Sequence, residues 1–108
     1  MIYPNTLLNA TPDHVEWWSV WPTKDPAVSI TNIRFLVRSD VLDGRVLARV
    51  NKSWEILAAA ALNEDWPMAE SIQLNATARP DQSFLYGRNE IACQHLHRWL
   101  EKDLTETP

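Results

Sequence analysis

The chain has 108 residues, 45% of them hydrophobic and 22% charged, with a formal net charge of −4 at pH 7. This length allows one domain with one core, and the apolar fraction excludes a disordered chain. The net acidity argues against wholesale nucleic-acid binding, but it leaves room for a local basic face, because the field near a surface depends on where the charges lie. We therefore predict a single domain over residues 1–108.

Cysteine use and hydropathy indicate the compartment. Cys93 is the only cysteine, so no disulfide can form within the chain, which is typical of a reducing environment. The first residues carry no basic segment followed by a long apolar stretch, so no secretory signal is expected. The longest apolar run, Ile56–Leu62, has seven residues and is far too short to span a membrane. We predict a cytoplasmic protein without membrane contact.

The first segment predicts an irregular lead-in over residues 1–10 and then a helix. Thr11–Asp13 is typical of a helix start, since it offers a hydroxyl cap, a proline at the first helical position and an acid in the first turn. Aromatic residues then recur three and four positions apart, on one helical stripe: His14, Trp17, Trp18 and Trp21. The pattern predicts a tryptophan-rich helix that ends at Pro22.

The segment from Ile33 to Asn51 predicts a β-hairpin, with strand structure beginning near Val28 or Ser29. Asp43-Gly44 supplies the positive φ angles of a two-residue type I′ turn. Because side chains alternate along a strand, one face would carry the arginines and their intervening leucines. That face comprises Arg34, Arg38, Arg45 and Arg49 with Leu36, Leu42 and Leu47. The opposite face would be apolar.

The second half of the chain predicts helices. Ser53 is a suitable cap for a helix over Trp54–Asn63, which is apolar on all sides and should be buried. Glu64–Pro67 should end it. Residues 67–79 fit both a helix and an alternating strand, and we favour the helix. Glu90–Leu104 has an apolar helical stripe, and residues 105–108 form a tail.

These elements predict an α+β fold. A central antiparallel β-hairpin, with a third strand as an extension, would pack its apolar face against three to four helices. The chain would form one small domain, and no second domain or linker is indicated by its composition.

Potential metal and nucleophile chemistry centres on Cys93, His95 and His97. In a helix, His95 and His97 fall on opposite flanks of the stripe, so they cannot share an ion. Cys93 and His97 could share one, but a zinc site needs at least one further protein ligand. Cys93 within an apolar stripe is more typical of packing than of catalysis. The chain also lacks a glycine-rich phosphate loop. We assign no catalytic residue, no metal and no cofactor.

The leading functional prediction is a small binding or regulatory protein, of the adaptor or inhibitor type that phages and other mobile elements encode. It would contact a protein partner, or a second copy of itself, through the arginine and leucine face and through the tryptophans. The predicted partner-binding residues are Arg34, Arg38, Arg45, Arg49, Leu36, Leu47, Trp17, Trp18 and Trp21.

Two alternatives stay open. The arginines Arg34, Arg38, Arg45 and Arg49 could bind nucleic acid, with an affinity that falls steeply with salt. The chain could also be a small enzyme or ligand-binding domain with a pocket lined by tryptophan and histidine. Such a pocket would reach His14, His95 or His97.

Overall fold

A computed structural model describes residues 1–83 and 85–106 and has an α+β fold. Three strands form one antiparallel sheet in the order β1–β2–β3, with β1 at Thr6–Ala10, β2 at Val15–Pro22 and β3 at Ser29–Leu36. The predicted fold class is thus confirmed, and so are the third strand and the strand start near Ser29. The predicted domain boundaries stay a prediction.

The predicted helix over Thr11–Trp21 is wrong, because this segment forms the turn before β2 and β2 itself. The Thr11 backbone N–H donates to the His14 carbonyl (2.9 Å), and the Thr11 hydroxyl accepts from the His14 N–H (3.1 Å). A hydroxyl followed by proline suits a tight turn as well as a helix cap. The predicted irregular lead-in over residues 1–10 is also wrong in part, because β1 lies within it.

The predicted hairpin over Ile33–Asn51 is wrong beyond Leu36. Helix α1 occupies Gly44–Ala60, and the Asp43 carboxylate caps it by accepting from the N–H groups of Arg45 (2.9 Å) and Val46 (2.8 Å). Asp-Gly therefore serves as a helix start here, and no described glycine has a positive φ. Val46 and Val50, four positions apart, lie on the more buried side of α1.

The described helices form two bodies rather than the predicted three to four. Helix α1 continues without a break through a π-helical turn at Ala61–Asp65 into α2 at Trp66–Ala78. The second body is α3 at Ile91–Glu106. The predicted helices over 67–79 and 90–104 are confirmed, while the predicted break at Glu64–Pro67 is wrong, since Pro67 is accommodated in the first turn of α2. Of the predicted tail, Thr105 and Glu106 belong to α3, and residues 107–108 lie outside the described part.

The two faces of the sheet differ in their surroundings. Helix α1 meets the sheet where the Trp54 ring packs edge-on against Phe35, with 5.3 Å between ring centroids. Helices α2 and α3 line cavities on this same face, which we call the helix-side face. We call the opposite face the outer face. On β3 the alternation is plain, because Thr31, Ile33 and Phe35 are half-buried while the intervening residues are exposed.

The core of the described residues is thin. Among their apolar residues only Val50 and Ala61 are fully buried. The predicted burial of the whole Trp54–Asn63 helix is wrong, because Ile56 is 61% exposed and Leu62 is 60% exposed. In residues 1–83 and 85–106, no helix has both the length and the hydropathy that a membrane crossing requires.

Candidate functional site

The four predicted arginines do not share a face. Arg34 lies on β3, Arg38 in the connection to α1, and Arg45 and Arg49 on α1. Arg38 forms an ion pair with Asp40, and Arg49 donates from Nε and Nη2 to the Asp13 carboxylate, both at 2.9 Å. The arginine face that the hairpin implied is therefore absent from the described structure, and Leu47 lies on α1, apart from Leu36.

The Arg49–Asp13 pair joins α1 to the turn between β1 and β2. The two hydrogen bonds from Arg49 hold the pKa of Asp13 below its ordinary value, because they stabilise the ionised carboxylate. The same contact raises the pKa of Arg49. Arg49 is therefore engaged within the chain by a partly exposed ion pair.

The predicted tryptophans separate onto the two faces of the sheet. Trp17 and Trp21 lie on the outer face with Arg34, since Trp17 pairs directly with Arg34 across the strands. Trp18 lies on the helix-side face, where its indole N–H donates to the Glu16 carboxylate (3.1 Å). Three of the predicted residues, Trp17, Trp21 and Arg34, are therefore close neighbours.

His14 is the most buried titratable residue that the structure describes, with 6% exposure. Its ring stacks on Phe35 with 4.2 Å between centroids, and Nδ1 lies 2.9 Å from the Thr11 hydroxyl. Nε2 is buried without a hydrogen-bond partner and lies 3.8 Å from Glu16 Oε1. No described cavity reaches it, so His14 belongs to the packed corner between the sheet and α1.

The other predicted metal candidates do not assemble a site. Cys93 is exposed, and the Tyr86 hydroxyl lies 2.6 Å from His97 Nε2. Within residues 1–83 and 85–106, no group of three or more histidine, cysteine, aspartate or glutamate side chains could hold a metal ion.

The π-helical turn at Ala61–Asp65 was not predicted from the sequence. The Trp66 N–H donates to the carbonyl of Ala61, five residues earlier, so the turn accommodates one additional residue. Such turns occur frequently at functional sites. The only sequence signal was the adjacent acids Glu64 and Asp65 after an alanine run, and these were interpreted as the end of a helix.

The π-helical turn presents a carboxylate. Ala61 is 2% exposed and marks the packed side of the helix. In this wider turn the fifth residue, Trp66, returns toward that side, and Asp65 directly precedes it. Both acids are exposed, and neither forms an ion pair or hydrogen bond within the described residues.

A trough runs along the helix-side face next to this turn. One cavity of about 790 Å³ lies between the start of β3 and α2, and Trp66, Ala69 and Glu70 line its helical wall. A second cavity of about 550 Å³, mostly apolar, lies between the sheet and α3, with Trp18, Leu96 and Leu100 among its walls. The two cavities share Val28 and Ser29 and therefore adjoin. Their sizes suit a small organic ligand.

Comparison with known proteins identifies the class. The family model described as the ring hydroxylating alpha subunit (catalytic domain) matches residues 1–106. The chain therefore belongs to the family of ring-hydroxylating alpha subunits, through the catalytic domain of that family. No curated protein and no solved structure matches it.

This membership corrects the leading functional prediction. A catalytic-domain family is not a family of adaptors or inhibitors, so the predicted binding and regulatory role is wrong, and so is the protein-partner interpretation built on it. The nucleic-acid alternative also loses its structural basis, because its four arginines are dispersed. The alternative of an enzyme with an aromatic-lined pocket agrees better with the family, although the pocket that we find contains none of the three histidines.

Proposed function

We propose that this chain forms part of the catalytic unit of an oxygenase that hydroxylates an aromatic ring. The observation that carries the proposal is the match of the catalytic-domain family to residues 1–106. The trough supports it, because a ring substrate needs an apolar wall and a nearby polar edge that fixes its orientation. The cavity beside α3 offers that wall, and the cavity beside α2 offers Glu70 and Gln73.

Hydroxylation with dioxygen requires a metal or organic cofactor that activates oxygen, since protein side chains alone do not. One common solution is a non-haem iron held by two histidines and one carboxylate. The described residues do not gather three such ligands, so they do not form a complete centre of this kind by themselves. We therefore derive no reaction step through a metal.

We further propose that Asp65 is the carboxylate that this chain contributes to the oxygen-activating centre. Asp65 lies at the end of the π-helical turn, and its carboxylate has no hydrogen bond or ion pair within the described residues. Trp66, the next residue, lines the trough. An unpaired carboxylate beside a substrate-sized cavity can take part in binding a metal or in positioning a ligand.

The test is Asp65→Asn in the native assembly, with hydroxylation and iron content per chain both measured. We expect iron to be lost. Hydroxylation should fall by more than about 100-fold, because losing a metal ligand has a larger effect than losing a residue that only orients a ligand. Glu64→Gln is the matched control, since it neutralises the neighbouring exposed carboxylate, and it should leave both quantities near wild type. Normal iron content and normal turnover in Asp65→Asn would refute the role of Asp65.

Failure of the catalytic proposal itself would have a different signature. A wild-type assembly that carries the expected iron but hydroxylates no aromatic compound would contradict ring hydroxylation, whatever Asp65 does. For the compartment we propose the cytoplasm, because a single exposed thiol is typical of a reducing environment.

A further inference from the structure

The outer face of the sheet carries a second hollow, on the side away from the π-helical turn and the trough. Its volume is about 270 Å³, near the lower limit for small-molecule pockets, which suits a ligand with a single ring. The six lining residues are Thr6, Trp17, Ser19, Trp21, Asn32 and Arg34. They come from all three strands, so the hollow is built on the most regular part of the fold.

The register of the strands explains how the hollow forms. Thr6 and Asn32 flank Ser19 on either side, and together they make a polar row across the sheet. Trp17 and Trp21 lie two positions before and after Ser19 on the same face, so one indole stands on each side of this row. Trp17 is 43% exposed and Trp21 is 54% exposed. The floor is polar and two walls are aromatic.

Arg34 gives the hollow its charge. It is exposed, and no hydrogen bond, ion pair or cation–π contact engages it within the described residues. Glu16 is the only acid in the three strands, and it lies on the helix-side face. By contrast, Arg38 and Arg49 are paired with aspartates. The outer face therefore presents an uncompensated guanidinium beside two exposed indoles.

We propose that this hollow binds a small aromatic carboxylate. The planar guanidinium of Arg34 can donate two parallel hydrogen bonds to a carboxylate, and the Asn32 amide beside it can donate another. The Trp21 indole N–H donates to the Ser19 hydroxyl (3.3 Å), which holds that ring beside the polar row, and an aromatic ring attached to the carboxylate packs against the exposed indoles of Trp17 and Trp21. The site is separate from the trough, so its occupancy does not depend on hydroxylation.

The test is a titration of the full 108-residue chain with benzoate, monitored by the indole N–H resonances and by calorimetry. Two matched ligands serve as controls. Benzamide keeps the ring and removes the charge, whereas acetate keeps the charge and removes the ring. Arg34→Gln is the principal variant, and Arg38→Gln is the control, because it also removes one exposed positive charge but outside the hollow. Far-UV circular dichroism of each variant checks that the exposed substitution leaves the fold intact.

We expect saturable binding of benzoate that shifts the resonances of Trp17 and Trp21. Arg34→Gln should weaken it by about tenfold or more, as the loss of charge-assisted hydrogen bonds requires, while Arg38→Gln should not. Trp17→Leu should also weaken binding, which keeps the test informative if Arg34→Gln is poorly folded. The proposal is overturned if benzoate does not saturate, if acetate binds equally well, or if Arg34→Gln binds normally. The proposal is also overturned if the chain forms a concentration-dependent dimer that Trp17→Leu dissociates. That result would show that the outer face binds a second copy of the chain.

Discussion

At the scale of single residues, the fold depends on the short corner that runs from Thr11 to Glu16. His14 stacks on Phe35, and Asp13 binds Arg49 on α1, so neighbouring residues attach the β1–β2 turn to both a strand and a helix. Thr11 fixes the corner through its hydroxyl, which donates to the His14 carbonyl (2.7 Å). The Thr11–His14 hydrogen bonds join residues three positions apart, whereas the Asp13–Arg49 pair joins residues 36 positions apart.

The Asp13–Arg49 pair predicts a pH-dependent contribution to stability. The pKa of Asp13 is lower in the folded chain than its ordinary value, so folding favours the ionised carboxylate. The contribution is therefore fully present above the unfolded-state pKa, near 4, and disappears as the pH falls through the lower folded-state pKa. We expect Asp13→Asn to lower the urea midpoint of unfolding at pH 7. The difference in midpoint between this variant and wild type should disappear below the folded-state pKa of Asp13, because the wild-type carboxyl group is then also uncharged.

Asp40→Asn serves as the control for this pH dependence. It breaks the exposed pair with Arg38, which joins residues two positions apart and anchors no helix. The urea midpoints of Asp13→Asn and wild type are compared at pH 7 and at pH 3. If they differ equally at both pH values, the carboxylate charge of Asp13 is not what stabilises the corner.

His14 predicts a packing effect. Replacing this buried ring by alanine removes its stacking on Phe35 and leaves a void beside that ring. We expect His14→Ala to reduce the free energy of unfolding by about 2–4 kcal/mol, measured by urea denaturation. His95→Ala, on the exposed surface of α3, should change it by less than about 0.5 kcal/mol. Equal effects of the two substitutions would contradict the packing role.

At the scale of elements, the errors in the sequence prediction share one physical cause. Four positions separate residues on the same face of a helix, and they also separate residues on the same face of a strand. Trp17 and Trp21 therefore fit either structure, and so do Arg45 and Arg49. Trp18 distinguishes the two possibilities, since a helix would place it beside Trp17 and the strand places it on the opposite face.

Elements with unambiguous periodicity were predicted correctly. Helix α3 has a stripe with both three- and four-residue spacings, such as Leu96 to Leu100 and Trp99, and it forms where expected. The α+β fold class was also predicted correctly. Strands β1 and β2 were not predicted, because their segments were interpreted as an irregular lead-in and a helix. The outer-face hollow could not be predicted, because it depends on the register of β1 and β2, which local patterns assigned to the wrong type. The π-helical turn was missed because Glu64–Pro67 fits a helix end.

The π-helical turn predicts separate effects on stability and function. Deletion of Asn63 removes the additional residue, so that Trp66 returns four positions after Ala61 in an ordinary α-helix and still faces the sheet. We expect helix content and melting temperature to be maintained or raised. Hydroxylation by the native assembly should fall, because the deletion shortens the turn and moves Asp65 relative to Ala61. A large fall in melting temperature would show instead that the π-helical turn is needed for packing.

At the scale of the whole molecule, the described residues expose much apolar surface for their number. Trp17, Trp21 and Ile30 are exposed on the outer face, while Ile72 and Leu74 are exposed on α2. This much exposed apolar surface leaves little apolar area buried within the described residues. The stability of the chain on its own is correspondingly small, because apolar burial is the main favourable contribution to folding.

This exposure predicts the behaviour of the purified chain. We expect it to unfold cooperatively but at a lower temperature than the native assembly, and to bind more of the dye ANS. Calorimetry and dye fluorescence on both samples measure the difference. Equal melting temperatures and equal dye binding in the two samples would show that the chain's own core is sufficient.

The corner around His14 also determines how the trough can change in width. Helix α1, the π-helical turn and α2 form one continuous rod, and it is fastened to the sheet near Arg49, about 25 Å along the helix axis from Trp66. Trp54 and Ala61 pack along the same rod, so a shift of the rod at the corner is carried along it to Trp66. A substitution at Asp13 or His14 can therefore alter the opening beside α2 without touching a single residue that lines it.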